Sequence, residues 1–520
     1  MPGDESVAGT SRSPAATGAI RARGPGRVLP QRLRKASWQR EELRTTLWLV
    51  PTVLVVSSVG LFAITYGLDV AAYHRHLSYP FWIRTPSADA ARQVLIAIAA
   101  AVITVVGVVF SITILALTLA SQQFGPRMMR NFVRDVGNQV TLGVWVATFV
   151  YSVLALGSIS TSSGPLGDFV PNLSITVAEA LLFVDVAVLI YFIHHIAKSI
   201  QLPEVIAGIA RDLSSAVDGE FPLQATPGGA ATQPAPEELR EIMRRLDDDG
   251  VTIPALDSGY LQFVAFGQLV QIAEDAGAVI RLAHRPGHFV VAGRPLGTVW
   301  PPAAAPKVEQ SLARSHVTGP HRTLVQDPVF AIDQLVEIAI RALSAAVNDT
   351  FTALTCIDWL SAGLSRISGR VLSEGVYRDR GGSVRLIELA PSYDRMVNRA
   401  FDKIRQAGGA MPAVVIRLVD ALSRVAEHTV EEGQRAALRR QAEMILRRAE
   451  SSDLEPDDLA DVRARYGGFL VVVAGALGRP SPGAVELAGS GTVPGVRAEP
   501  GRSGGPETLD TLAGGLPGDQ

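Results

Sequence analysis

The 520-residue chain is short of charge: 19% of its residues are Asp, Glu, Lys or Arg, where an average soluble domain carries about 25%. It has one cysteine, Cys356, which excludes an intramolecular disulfide framework and any cysteine-rich zinc or iron–sulfur centre. Lysine is nearly absent, with 4 residues against 44 arginines. The 48 basic and 50 acidic residues nearly cancel, leaving a net charge of −2. That balance gives no global basic field for nucleic acid, and no nucleic-acid partner is expected. The dipeptide Gly-Lys never occurs, so there is no phosphate-binding P-loop, and no HExxH zinc motif is present. No catalytic constellation stands out, so neither an enzymatic activity nor a cofactor or metal is expected.

The missing charge is concentrated in the first 200 residues. Thr45–Leu68 carries none, Arg92 and Arg127 are separated by 34 uncharged residues, and Val136–Gly167 is uncharged throughout. A fourth apolar block, Ile175–Ala197, is interrupted by Glu179 and Asp185. A helix needs about 20 apolar residues to cross a ~30 Å hydrocarbon core. All four blocks are long enough, which predicts spans at about 46–67, 94–120, 140–159 and 175–197. The first follows 44 residues of polar chain and is too long for a typical signal-peptide core, so it is expected to remain as an anchor.

Arg27, Arg32, Arg34, Lys35, Arg40 and Arg44 precede the first span, Arg127, Arg130 and Arg134 follow the second, and Lys198 and Arg211 follow the fourth. The opposite side has Arg75, Arg84 and Arg92. This asymmetry predicts a multi-pass protein of the cell (inner or plasma) membrane with both termini in the cytoplasm. Trp48, Trp82, Trp145 and Tyr191 are expected near the span ends, as interfacial aromatics.

The sequence after the fourth span predicts a linker helix and small α/β module (199–316), then a mainly helical module (317–477). Strands are expected at Val251–Ile253, Tyr260–Val264, Ala278–Ala283, Phe289–Ala292 and Leu296–Trp300, with a helix at Ala265–Ala276. Helices are expected at Pro203–Ser215, Val329–Ala346, Phe351–Ile367, Ser392–Gln406, Pro412–His428, Glu431–Ala449 and Pro456–Ala474, and a strand at Ser383–Leu389. A basic arm over 1–44 and a Gly/Pro-rich tail over 478–520 are expected to be disordered. The fold class expected is thus a mostly α membrane protein: four transmembrane helices, then a cytoplasmic region with a small α/β module and a helical module.

Three segments carry a family signature: Phe110–Asp135 (FSITILALTLASQQFGPRMMRNFVRD), Leu189–Pro203 (LIYFIHHIAKSIQLP) and Gly319–Leu360, which contains AVNDTFTALTCIDWL. Over roughly Trp38 to Arg424 the chain resembles a bacterial family of predicted membrane proteins, domain of unknown function 2254. The resemblance implies four spans and a cytoplasmic C-terminal domain, and no established activity. One departure is visible. The family pattern has prolines where this chain has Ala345 and Thr350, which removes two fixed φ angles and predicts a looser bend or more continuous helices there.

Several residues are candidates for chemistry. Asp185 falls near the middle of the fourth span, where a carboxylate costs about 2.5–3.5 kcal/mol on insertion scales. With Glu179, His194 and His195 it forms the intramembrane polar set. Two readings stand: steps of a proton or cation path, or a protonated Asp185 hydrogen-bonded to Ser111, Thr113 or Thr148. His194 and His195 diverge by 100° and cannot chelate together, which favours interfacial anchoring. Arg127, Arg130 and Arg134 recur at helical spacing and suit either lipid headgroups or simple orientation. In the soluble part Arg322, Asp327, Asn348 and Asp349 are ligand-pocket candidates. Their alternative roles are a turn pair for the first two and helix capping for the last two.

The leading expectation is an ion or small-solute channel or transporter with a cytoplasmic regulatory domain. Four spans are few to enclose a pore, so transport implies a homo-oligomer in the lipid bilayer. The rival is a membrane-anchored sensor or scaffold whose soluble half binds a ligand or protein partner.

Overall fold

A computed structural model describes residues 48–475, apart from 76–79, 81–82, 84–85, 125–134, 161–168, 200, 222–235, 371 and 373–374. The expected arm (1–44) and tail (478–520) lie outside the described residues. Four helices are long and apolar enough to cross a membrane: α1 (Leu49–Arg75), α2 (Ala88–Phe124), α3 (Val136–Gly157) and α4 (Asn172–Ser199). Each extends beyond its apolar block, because the hydrogen-bonded backbone continues until a polar flank can end it.

The centre of the bundle is α3, which packs on α1, α2 and α4. Gly143 brings it close to α1: a Cβ there would sit 2.9 Å from the Pro51 Cα. Small residues permit such approaches where lipid offers no hydrophobic drive to association. On α2 the buried residues Ala91, Leu95, Ile98, Val102, Val109 and Ala116 recur at steps of three, four and seven residues. Its Ile96, Ile103, Val108, Ile114 and Leu115 point outward, as a lipid-facing stripe requires. Trp145 corrects an expectation. It is no interfacial aromatic but fully buried at mid-bundle, set edge-on to Phe192 with its indole N–H donating to the Asp185 carbonyl at 3.3 Å. Trp48 and Tyr191 are exposed, while Trp82 is outside the described residues.

After α4, Gln201 is extended and Pro203 occupies the first turn of α5 (Leu202–Glu220). Ile206, Ile209, Leu213 and Val217 recur on one face of α5 and enter a large helical core. The rest of that core is α9 (Val329–Ala342), α10 (Thr350–Ser368), α11 (Tyr393–Gly408), α12 (Pro412–Ala426), α13 (Glu432–Glu450) and α14 (Pro456–Gly475). Helices α5 and α10 run parallel, since Gly363 faces Leu213 and, further along, Arg366 and Arg370 pair with Asp218.

The second apolar cluster lies in the α/β part, formed by α6 (Pro236–Asp248), β1 (Val251–Pro254), β2 (Gly259–Val264), α7 (Phe266–Asp275), β3 (Val279–Leu282), β4 (Phe289–Val290), β5 (Pro295–Trp300), α8 (Ala305–Leu312), β6 (His316–Gly319), β7 (Val376–Arg378) and β8 (Val384–Ile387). One sheet has the order β1-β5-β3-β8-β7 and the other β4-β2-β6. Strand β3 pairs with β8 in parallel, Ile280 opposite Leu386, across more than 100 residues of sequence that include α9 and α10. The two modules therefore interleave along the chain. Helix α8 and strands β6 and β7 were not expected. The run PPAAAPK reads as a turn, and every residue of β6 and β7 is half-buried, so neither strand shows an apolar alternation.

Gly363 carries a testable consequence. A Cβ there would overlap the Leu213 side chain, so Gly363→Val should separate α5 from α10 and cost roughly 1–3 kcal/mol, as overpacking does. The thiol of Cys356, buried on α10 and pushed up to about 12 by that burial, reports the event. In a heating series with a thiol-reactive dye, the midpoint of Cys356 labelling should fall by several degrees.

Candidate functional site

Three aspartates of the bundle meet α4 or belong to it at three levels along its length. At its N-terminal end the Asp69 carboxylate, fully buried on α1, accepts from Leu173 N (2.8 Å) and Ser174 N (2.9 Å). The Ser174 hydroxyl donates to Asp69 Oδ2 at 2.8 Å and lies 3.1 Å from Thr65 Oγ1, itself 2.8 Å from the Tyr151 hydroxyl of α3. A carboxylate on the first free amides of a helix is favoured by both the hydrogen bonds and the helix dipole. This chain of groups ties α1, α3 and α4 together.

Eleven residues further along α4, about 16 Å of rise and only about 20° of rotation away, comes Asp185. It is 5% exposed. Thr148 donates to its Oδ1 at 3.1 Å, while its Oδ2 makes no hydrogen bond among the described residues. The Ser152 hydroxyl, one turn from Thr148 on α3, is equally buried and equally without a partner among the described residues. Ten residues beyond Asp185, about 15 Å away, the His195 ring meets Asp135 at 2.6 Å, Nε2 to Oδ2. The other Asp135 oxygen caps α3 by accepting from Gly137 N at 2.8 Å. Tyr191 stacks on the His195 ring, centroids 5.3 Å apart.

Asp69 and Asp135 thus have both oxygens engaged, by helix amides, the Ser174 hydroxyl and the His195 ring, whereas Asp185 keeps one oxygen without a hydrogen bond among the described residues. That oxygen can bind a proton or a small cation without breaking a packing contact. The remaining members of the polar set stand apart. Glu179 is half-buried, six residues before Asp185 and so about 120° round the helix. His194 is exposed, and only His195 turns inward. Arg127, Arg130 and Arg134 lie outside the described residues.

In the soluble part the four ligand-pocket candidates divide into two places. Arg322 Nε donates to Asp327 Oδ2 at 2.8 Å just before α9, and Arg322 also pairs with Asp333. Asn348 and Asp349 sit past the other end of α9, about 20 Å away by its length. Asn348 adopts a left-handed backbone (φ 51°), and Asp349 caps α10 by accepting from Thr352 N at 3.1 Å. Asp349 N also donates to the Ala342 carbonyl at 2.8 Å. The bend between α9 and α10 is therefore tight and fully bonded, neither loose nor continuous, although both prolines are missing.

Around Asp327 the fold gathers charges from distant segments. Arg399 of α11 pairs with Asp333, its Nη2 2.7 Å from Oδ2. The turn Arg285-Pro286-Gly287-His288 lies over Asp327, and Gly287 is required there: its φ is 91° and a Cβ would overlap that carboxylate. Burial raises the Asp327 carboxyl, against the pull of Arg322. Burial and the positive Arg285 push His288 down to about 4. Arg285 donates to His288 Nε2 at 3.2 Å but has no ion pair among the described residues. Sequence reasoning missed Asp69, Asp135, Arg285, His288, Asp333 and Arg399, because what brings them together is remote in the chain: Asp69 meets Ser174, Asp135 meets His195 and Asp333 meets Arg399 across 60 residues or more.

Comparison with known proteins agrees with the membrane assignment. The model of a family described as predicted membrane protein, domain of unknown function 2254, matches residues 44–424. The chain is 34% identical to an uncharacterized protein of Mycobacterium bovis over 427 residues, which cover 81% of this chain and 79% of the relative. Uncharacterized proteins of two Mycobacterium tuberculosis strains match to the same extent. No solved structure matches.

Two outcomes follow from the geometry. Asp69→Ala removes three hydrogen bonds and a cap charge and should cost roughly 2–4 kcal/mol. Asp185→Asn keeps an acceptor for Thr148 and should change stability by less than about 1 kcal/mol. Heating each variant in detergent and measuring the folded fraction by circular dichroism separates the two. His288 gives a pH signature. Between pH 6.5 and about 4 the unfolded chain binds a proton at His288 that the folded one refuses, so stability falls as pH drops through that window. His288→Gln should flatten the fall in midpoint measured from pH 7 to pH 4.

Proposed function

We propose that this chain, which belongs to the family of predicted membrane proteins called domain of unknown function 2254, moves protons or a small cation across the cell membrane. Asp185 is the binding group of the path. The observation that carries this reading is its second carboxylate oxygen, buried between α3 and α4 with no hydrogen bond among the described residues. Intramembrane carboxylates are costly, and where they persist they commonly mark ion pathways.

The hydroxyls of Thr148, Ser152 and Tyr151 continue from Asp185 toward Asp69, and the Asp135–His195 pair stands at the other end. Together they supply polar groups at both ends of α4 and at its middle. Asp69 and Asp135 hold the helices in place, and His195 serves as the exchange group nearest the water on the cytoplasmic side. Four helices do not enclose an aqueous pore, so the transporting unit is a homo-oligomer, with the cytoplasmic modules as its regulatory part.

A second reading, a ligand-binding membrane sensor, is favoured by one observation. The half-buried Arg285 guanidinium forms no ion pair among the described residues; burial lowers its affinity for its own proton, and the charges of Arg399, Arg322 and Arg395 add to that against the opposing pull of Asp327. An anionic ligand would relieve that repulsion.

Reconstitution separates the two. Liposomes containing the purified protein should dissipate an imposed proton or cation gradient, and Asp185→Asn should reduce the rate about tenfold or more. Flux equal in wild type and Asp185→Asn across protons and the alkali cations removes the transport reading. A rise in melting temperature with polyvalent anions, lost in Arg285→Gln, would then leave the sensor.

A further inference from the structure

After α4, one of the exposed apolar sites is a tip at the bend between α9 and α10. Phe351, at the start of α10, is 82% exposed, and Val347, in the bend before it, is 51% exposed. The same bend is held by hydrogen bonds. It is braced by the left-handed Asn348, the Asp349 cap and the Asp349 amide bonded back to Ala342. A rigid turn that presents a phenylalanine to water would cost stability, unless water is not what surrounds it.

The packing of α5 against α10 says where this tip lies. The two helices are parallel and in register, Gly363 beside Leu213 and Arg366 beside Asp218. Going back twelve residues from these contacts, at 1.5 Å per residue on both helices, brings Phe351 level with Gln201. Gln201 is two residues past the end of α4. Packed helices stand about 8–10 Å apart, so the tip is next to the point where α4 leaves the membrane. Lys198, in the last turn of α4, and Arg341, in the last turn of α9, are basic residues at the same level. Such residues suit anionic headgroups beside an apolar tip.

We propose that the α9–α10 bend is a membrane-docking tip, with Val347 and Phe351 seated in the headgroup layer of the bilayer beside the exit of α4. The lipid surface already bounds α4, so the tip extends an existing interface. Docking gives the soluble helices a second attachment to the bilayer, besides the covalent α4–α5 junction. The tip then senses lipid packing and charge through α10, independently of any ion movement.

The buried native Cys356 resists labelling, which makes a direct test available in the full chain. Phe351→Cys and, as reference, Gly369→Cys at the far end of α10 are labelled with a nitroxide and placed in nanodiscs of phosphatidylcholine and phosphatidylglycerol. Oxygen partitions into lipid and a nickel chelate into water. The ratio of oxygen to nickel accessibility should be about threefold or more higher at 351 than at 369, as for a side chain ~5–10 Å into the interface. Equal ratios at the two sites overturn the proposal. Dipolar broadening between labels at 351 together with low accessibility to both oxygen and nickel also overturns it, because it identifies a second copy of the chain as the occupant. Val347→Cys should behave like Phe351→Cys.

Discussion

The fold of the membrane half depends on how the first turn of α4 is satisfied. In lipid, a helix gains nothing hydrophobic by leaving lipid for another helix, so its position is fixed by polar contacts and close packing. Asp69 supplies the contact here. It reaches from α1 to the free amides of Leu173 and Ser174, and Ser174 in turn connects to Thr65 and Tyr151. Once that end of α4 is held, helix geometry places the rest. Asp185, rotated by only about 20° from Ser174, must look the same way, toward the Thr148 and Trp145 of α3. His195, another ten residues on, arrives at the Asp135 that begins α3.

This arrangement separates holding from acting. Asp69 and Asp135 are buried or half-buried carboxylates whose oxygens are engaged by backbone amides, a hydroxyl or an imidazole. Asp185 lies between them with one oxygen bonded and the other free among the described residues. The same division recurs in the soluble part. Asp327 and Asp333 are paired with Arg322 and Arg399, whereas Arg285 has no ion pair among the described residues. In both halves function is proposed around the group that packing leaves least engaged.

Much of this was legible in the sequence, and the limit has a physical form. Four long apolar blocks announce four spans, because only a helix of that length and composition crosses lipid. Amphipathic periodicity located α9 to α14 within a few residues, since each buries a stripe against a common core. Asp185 was conspicuous because it interrupts an apolar run. Asp69 was not, because it sits where the first run ends and reads as an ordinary flanking charge. Its partners, Leu173 and Ser174, are more than 100 residues away, and nothing local marks a cap borrowed from another helix. Trp145 misled for the converse reason: its sequence position suited an interface, while its indole N–H found an acceptor in the core. Likewise Arg322 and Asp327 are neighbours in sequence, but Arg285 and Arg399 join them only through the interleaving of β3 with β8.

The central claim is that Asp185 exchanges its proton or cation with water through the seam between α3 and α4. Modification of Asp185→Cys by a small charged thiol reagent, in sealed liposomes, tests it most directly, since the native Cys356 is buried and contributes little background. The account predicts reaction with reagent added from the side of the α4 C-terminus, where Asp135 and His195 stand. Complete protection of Asp185→Cys from both sides, with the protein folded and in lipid, would contradict it.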